Sequence, residues 1–252
     1  MKISVITATF NSAKFINCCL SSVQNQTYKN IDHIVIDGAS TDETLSILES
    51  NRDQLKVIIS EPDKGVYDAM NKGIMISEGD IIGFLNSDDF YANNEVLSKV
   101  AKLFSKNPSL DGCYSDLIYT NQFNTKKNVR YWKSSKFVPG LFSKGWCPPH
   151  LTFFVRRAVY EKFSKFNLNY NIASDVELMM RFLEVHKINV QYIPEVWVKM
   201  RMGGLSNKNF LSIIKQNREI LHALKKHKLL NNFFIFLIYK IISRMKQFIN
   251  SK

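Results

Sequence analysis

Short apolar runs rich in β-branched residues alternate with amphipathic stretches through the first half of the chain. Ile3–Thr9, Ile31–Asp37, Lys56–Ser60 and Asp80–Leu85 predict strands. Lys14–Gln24, Asp42–Glu49, Val66–Ile76 and Glu95–Lys106 place apolar residues three and four apart and predict the helices between them. Strand, helix and strand joined by short connections form a βαβ pattern, so the expected fold class is α/β with a mostly parallel sheet flanked by helices. Asp42 after Ser40-Thr41 is suited to cap a helix, and Asn107-Pro108 to stop one.

The second half is less regular. It offers a strand near Cys113–Tyr119, then Gly145-Trp146-Cys147-Pro148-Pro149-His150, whose prolines forbid regular structure. A strand-like Leu151–Val155 follows, then helices near Arg157–Phe163 and Val176–His186. Strand-like pieces at Val190–Tyr192 and Val196–Met202 precede a turn at Gly203-Gly204-Leu205-Ser206. Two amphipathic helices should complete the chain. Phe210, Ile213, Ile214, Ile220, Leu221 and Leu224 share a face of the first; Ile238, Ile241, Ile242, Met245 and Ile249 share a face of the second, with Lys240, Arg244 and Gln247 opposite. The expected division is a domain over 1–207, with a nucleotide half over about 1–117 and an acceptor half over about 118–207, and a helical tail over 208–252.

Charge sharpens that division. The net charge is +12, but ten Lys/Arg against the single Glu219 put +9 of it beyond residue 207. A second basic stretch, Lys126, Lys127, Arg130, Lys133, Lys136 and Lys144, holds no acid and is interleaved with Tyr131, Trp132 and Phe137; it reads as a loop or hairpin meeting something anionic. With 252 residues, 45% of them hydrophobic, the chain can bury one large core. Its four cysteines show no C-x-x-C or Cys/His metal pattern, which fits a reducing compartment. With no signal-peptide apolar block and no run long enough to span a bilayer, the expected location is cytoplasmic.

The chemistry concentrates where strands end. Ile81–Leu85 stops in Asn86-Ser87-Asp88-Asp89, and ligand sites of open α/β sheets lie beyond the carboxyl ends of strands. Adjacent carboxylates repel, so a divalent cation lets both stay charged. A metal and a phosphate are the natural guests.

Taken with Thr7-Ala8-Thr9-Phe10-Asn11, Ile34-Val35-Ile36-Asp37-Gly38-Ala39-Ser40-Thr41-Asp42 and Glu61-Pro62-Asp63-Lys64-Gly65-Val66-Tyr67-Asp68-Ala69-Met70-Asn71-Lys72-Gly73, this motif resembles the inverting GT-A glycosyltransferases of family two. Within that family the likeness is to bacterial enzymes of exopolysaccharide, colanic-acid-like and O-antigen assembly, and it runs from about Lys2 to Ser206. The resemblance implies a GT-A fold and a hexosyl- or N-acetylhexosaminyltransferase working with Mn²⁺ or Mg²⁺. It implies Asp37 on the nucleotide base, with Thr9 and Lys64 as further nucleotide contacts. Asn86-Ser87-Asp88-Asp89 matches the D-x-D motif with asparagine first, so Asp88 and Asp89 share the metal and nucleotide roles. In Asn171-Ile172-Ala173-Ser174-Asp175-Val176-Glu177 the second acid of the family's pair falls on Asp175, the implied catalytic base, while Ser174 replaces the first. His150 and Glu177 are candidates for the acceptor pocket, and Arg201 matches the segment that closes over the diphosphate.

The implied donor is a nucleotide sugar, uridine before guanosine, and the implied acceptor a glycan or lipid-linked saccharide. Surface polysaccharide enzymes of this kind work at the inner face of the cell membrane, and the second tail helix is suited to lie in an anionic interface. Simpler roles stay open: Asp37 as a turn acid, Asp88, Asp89 and Asp175 as helix caps, and the tail packed on the core or on a second copy. A nicotinamide dehydrogenase would need glycines after the first strand, where Thr9-Phe10-Asn11-Ser12 has none. An RNA-binding module is disfavoured because most of the charge sits in the tail, so no nucleic acid is expected. A non-catalytic nucleotide-sugar-binding homologue is the other alternative, since Asn86 and Ser174 stand where acids are usual.

Overall fold

The structure, a computed structural model, describes residues 1–203, 210–230 and 232–249. β1 (Ile3–Thr9), β2 (Ile31–Asp37), β3 (Val57–Ser60) and β4 (Ile81–Phe84) are parallel, in the order β3-β2-β1-β4. Register pairs Ile3 with Ile31 and with Ile81, so these strands end along one edge. β1 is buried at every position, Ser4, Thr7 and Thr9 included, as a strand covered on both faces must be. The helices α1 (Ile16–Gln24), α2 (Thr44–Ser50) and α3 (Val66–Ile76) make the crossovers. At the start of α2, Asp42 accepts the amide and hydroxyl of Thr44 and also the amide of Ala13, joining two loops of the strand-end edge.

Beyond β4 the sheet becomes mixed. β5 (Phe90–Tyr91), α4 (Val96–Lys106), β6 (Gly112–Thr120), β7 (Asn128–Trp132), β8 (Phe154–Arg156) and β9 (Val190–Arg201) extend it in the order β4-β8-β6-β9-β5, with β7 paired to β6. The basic aromatic segment thus becomes the second strand of a hairpin. Val190–Tyr192 and Val196–Met202, read as separate pieces, are one strand that bulges at Pro194-Glu195, where proline has no N–H for the ladder.

Leu151–Val155 departs from the expected strand. His150–Thr152 is a 3-10 turn after Pro148-Pro149, held by Thr152 Oγ1 bonding to the carbonyls of Pro149 and Ser115, and the strand starts only at Phe154. Two helices follow, α5 (Arg157–Phe163) and α6 (Ser174–Met180). The helix expected from Val176 to His186 begins earlier, at Ser174, and widens into a π turn at Arg181–Val185. There the Arg181 guanidinium folds back onto Glu177 and onto the carbonyls of Phe163, Ser164 and Lys165.

The tail forms α7 (Phe210–Lys226) and α8 (Phe233–Ile249). α7 buries Ile220, Ala223 and Leu224 and packs on α6, while α8 buries Phe236 and packs on β7 and the 3-10 turn Phe142–Lys144. The expected turn at Gly204-Leu205-Ser206 lies outside the described residues, as do the side chains of Phe210, Ile241, Arg244, Gln247 and Ile249. Among the described residues no helix is long and apolar enough to cross a membrane.

Candidate active site

The strand-end edge opens on a cavity of about 900 Å³ that runs to β7, α6 and the two tail helices. At the end of β1 Thr9 is buried and lines the cavity, and its Oγ1 has no bonding partner. A hydroxyl so placed has an unmet hydrogen bond to offer a ligand. Asp37 is fully buried and does not line the cavity. It accepts the amide and hydroxyl of Ser40 and the hydroxyl of Ser60 at 2.6 Å, so its carboxylate fastens the loops at the ends of β2 and β3. Asp63 lines the cavity instead. A Cβ on Gly38 would lie 2.6 Å from Asp63 Oδ2, so the bare glycine is what admits the carboxylate. Lys64 is exposed and away from the cavity wall; its amide donates to Asp68.

The two acids of the Asn86–Asp89 turn separate in role. Asp88 lines the cavity, with its carboxyl held above the usual range by burial, an effect that the charge of Arg201 opposes. Asp89 is fully buried behind it and accepts the amide of Arg201 at 2.9 Å and the Asn86 side-chain amide at 3.2 Å. Burial first, and then the charge of Asp88, raise the Asp89 carboxyl well above its ordinary value. Its position makes it a tie between the turn and the end of β9. Arg201 is not part of the cavity wall: its guanidinium donates to the Gln122 carbonyl and lies 5.0 and 5.2 Å from the Phe15 and Phe90 ring centres.

Another part of the cavity is built around Asp175 in the first turn of α6, where it lines the wall. Its Oδ1 accepts the hydroxyl of Tyr67 at 2.9 Å and the amide of Val176 at 2.9 Å. Tyr67 also lies 2.9 Å from the Ile172 carbonyl, and burial followed by the charge of Asp175 drives its pKa well up, so it stays a donor. His150 lines the same wall, stacked on Phe84 with ring centres 5.2 Å apart. Burial lowers its pKa against the opposing charge of Asp175, and its Nε2 has no partner. Desolvation pushes up the thiol of the half-buried Cys147, which stays protonated.

Glu177 is not at the cavity. Burial raises its carboxyl, but bonds from His227 at 2.9 Å and Arg181 at 3.1 Å outweigh that and hold it below its usual value. α7 also sends Glu219 to the turn before Asp175, where Oε2 accepts the amides of Ile172 and Ala173, each at 2.9 Å. With His222 bonded to Tyr170 at 3.0 Å, two side chains of α7 brace the segment carrying Asp175, and His227, just past the end of α7, holds Glu177.

Metal binding depends on the chemistry of these donors. Among the described residues no group of three His, Cys, Asp or Glu could enclose an ion. Mg²⁺ and Mn²⁺ at nucleotide sites take one or two carboxylates and fill the remaining positions from phosphates and water. Asp88, facing the cavity and seeking a counter-ion, fits that use, with Asn86 beside it in the wall.

Residues 4–167 match the family Glycosyl transferase family 2. The chain belongs to glycosyl transferase family 2. A family 2 relative, the PGL/p-HBAD biosynthesis glycosyltransferase of Mycobacterium tuberculosis, is 30% identical over 208 residues, covering 81% of this chain and 78% of the relative. Among solved structures, Staphylococcus aureus TarS 1–349 in complex with UDP superposes with a TM-score of 0.67 at 19% identity, over 95% of this chain and 70% of that one. This chain spans 40% of the longer TarS structure. The mannosyltransferase PcManGT of Pyrobaculum calidifontis, in complex with GDP-Man and Mn²⁺, gives 0.66 at 16% identity over 96% of this chain and 69% of that one. These likenesses confirm the GT-A fold expected of a family 2 glycosyltransferase.

The residues that sequence reasoning passed over are those joined only by folding. Tyr67 and Asp63 stood inside a quoted motif, but nothing local tied one to Asp175 or the other to Gly38. Glu219 carried one signal, as the lone acid of a basic tail.

Proposed function

We propose that this family 2 glycosyltransferase moves a sugar from a nucleotide-diphosphate sugar, UDP before GDP, to an acceptor hydroxyl with inversion. The observation that carries the proposal is one cavity walled by Asp88 at one end and by the Tyr67–Asp175 pair at the other. Thr9 and Asp63 receive the nucleotide: a hydroxyl without a partner and a carboxylate can answer the donors and acceptors of a base. Asp37 serves at one remove by fixing the loops that shape this end. Asp88 faces the diphosphate, where Mn²⁺ or Mg²⁺, when bound, neutralises the leaving group. Arg201 supports Asp88 from behind the wall, and Asp89 holds the turn in place. Asp175 removes the proton of the attacking hydroxyl, with its bonds to Tyr67 and the Val176 amide keeping it oriented. His150, neutral and with a free Nε2, is placed to bond the acceptor sugar. A single displacement needs one base and positioning, both of which the cavity supplies.

The proposal extends to a lipid-linked saccharide acceptor in surface polysaccharide assembly and to attachment of the tail to the anionic inner face of the membrane. The basic, amphipathic tail supports the attachment. The UDP, UDP-GlcNAc and GDP-Man complexes of structural neighbours are in keeping with the donor class, and the mycobacterial relative is a biosynthesis glycosyltransferase. The test is incubation of the purified protein with a panel of nucleotide sugars, with Mn²⁺ or with EDTA. Release of one nucleotide in the Mn²⁺ arm alone is expected; failure to bind or cleave any donor refutes the reading.

A further inference from the structure

α8 has two faces with different surroundings. On one, Phe236 is fully buried, and Phe236 and Lys240 line the cavity beside Gln216 and Ile220 of α7. The helix comes in close because Gly145 has no side chain: a Cβ there would lie 2.9 Å from Lys240 Cβ and 3.2 Å from its Cα, and Gly145 holds φ +70. Lys240 also donates to Asn217 at 2.6 Å, joining α8 to α7.

The other face carries Ile235, Ile238, Tyr239, Ile242 and Met245, each between 44% and 61% exposed. At 3.6 residues per turn these fall within about a third of the helix circumference, opposite Phe236 and Lys240. A soluble surface seldom leaves so continuous an apolar stripe bare. The helix also holds Lys240, Arg244 and Lys246, and no acid follows Glu219 to the end of the chain. Tyr239 sits with its ring 6.0 Å from the Lys144 ammonium, an aromatic and a cation together at the edge of the stripe. An apolar face with a tyrosine and a lysine at its edge, in a tail of net charge +9, matches an anionic lipid interface.

We propose that α8 is a wall common to the acceptor pocket and a lipid bilayer, so that the enzyme glycosylates the membrane-proximal part of a short lipid-borne acceptor rather than the free end of a long polymer. The proposal rests on the glycosyl-transfer reading above and adds a distance to it. With the outer face in the headgroup layer, the cavity wall is one helix away, about 10 Å. A hydroxyl near Asp175 therefore belongs to the first sugars next to the lipid.

The experiment uses the full chain with vesicles of phosphatidylglycerol and phosphatidylcholine, and with phosphatidylcholine alone. Sedimentation with the anionic vesicles at low salt is expected, with at least tenfold loss in I238E/I242E, while UDP binding is the same in both proteins. Hydrogen exchange on the vesicles should slow in α8 and β7 and stay unchanged in α2, on the far β2 and β3 edge. Among synthetic lipid-phosphate monosaccharides, those with the sugar next to the phosphate should be used at least tenfold faster than those carrying it on a long polyether spacer. Absence of vesicle binding, binding indifferent to I238E/I242E, protection centred on α2, or equal use of spaced acceptors overturns the proposal. So does a dimer in solution that I238E/I242E dissociates, because the stripe then belongs to a second copy. Loss of UDP binding in the wild-type protein strikes the glycosyl-transfer reading, and the vesicle result stands apart from it.

Discussion

Replacing Glu219 tests whether the tail takes part in catalysis. Its carboxylate accepts two backbone amides, Ile172 and Ala173, in the turn that leads into Asp175. Hydrogen bonds to a charged group contribute about 1.5–3 kcal/mol each and neutral ones about 0.5–1.5. Glu219→Gln keeps an acceptor oxygen and loses the charge, so the pair weakens by roughly 2 kcal/mol. Glu219→Ala leaves two amides without a partner, at a cost of roughly 2–6 kcal/mol. The strain falls on Tyr67, whose hydroxyl bridges the Ile172 carbonyl and Asp175 Oδ1. As about 1.4 kcal/mol corresponds to tenfold in rate, even a share of this cost lowers kcat by about tenfold in the glutamine variant and more in the alanine variant. Donor KM should be unchanged, because Thr9, Asp63 and Asp88 lie on other elements. Steady-state kinetics with thermal unfolding reads both effects. If Glu219→Ala keeps kcat within twofold and its Tm unchanged, α7 does not brace the base, and the reasoning fails.

Asp88→Asn should abolish metal-dependent turnover with the fold intact, whereas Asp89→Asn should lower Tm by several degrees because it weakens the tie to Arg201; circular dichroism and Mn²⁺ titration separate the two. Because burial raises the Asp88 carboxyl, protons compete with the metal there, and Mn²⁺ affinity measured by calorimetry should fall as pH drops from neutrality. Asp175→Asn should retain donor binding and lose at least a hundredfold in transfer, and Tyr67→Phe should lower kcat by a smaller factor; near-normal transfer by Asp175→Asn would remove it as the base. Glu177 has a lowered folded pKa, so its stabilisation is present above about 4.5 and lost as pH falls through the folded value; Glu177→Gln should flatten the acid limb of a Tm against pH curve.

The first, parallel half of the chain was largely legible in the sequence. Ile3–Thr9, Ile31–Asp37 and Val66–Ile76 form the elements that their apolar spacing predicts, because each is decided by local periodicity and burial on the sheet. The second half, with its mixed sheet, was less so. Thr152 bonding around Pro149 turns an apolar stretch into a 3-10 turn, and Pro194 bulges a strand that otherwise reads as two. Asp88 and Asp175 could be found as motif acids. The burial of Asp37 and Asp89 behind their neighbours, and the pairing of Glu177 with His227, depend on contacts far apart in the chain that no local pattern encodes.

Gly145 admits α8 so closely that two separate stretches of the chain, 142–151 and 216–240, meet in one wall, while residues 8–15, 63–70 and 86–88 line another part of the cavity. In the proposed mechanism the tail therefore adds to the acceptor side alone, while Tyr67 and Asp175 come from elsewhere in the chain. Gln216, Ile220, Phe236 and Lys240 can be exchanged without touching Thr9, Asp63 or Asp88. A grafted tail offers a route to new acceptors on an unchanged donor scaffold, provided that Glu219 travels with it to keep Asp175 in place.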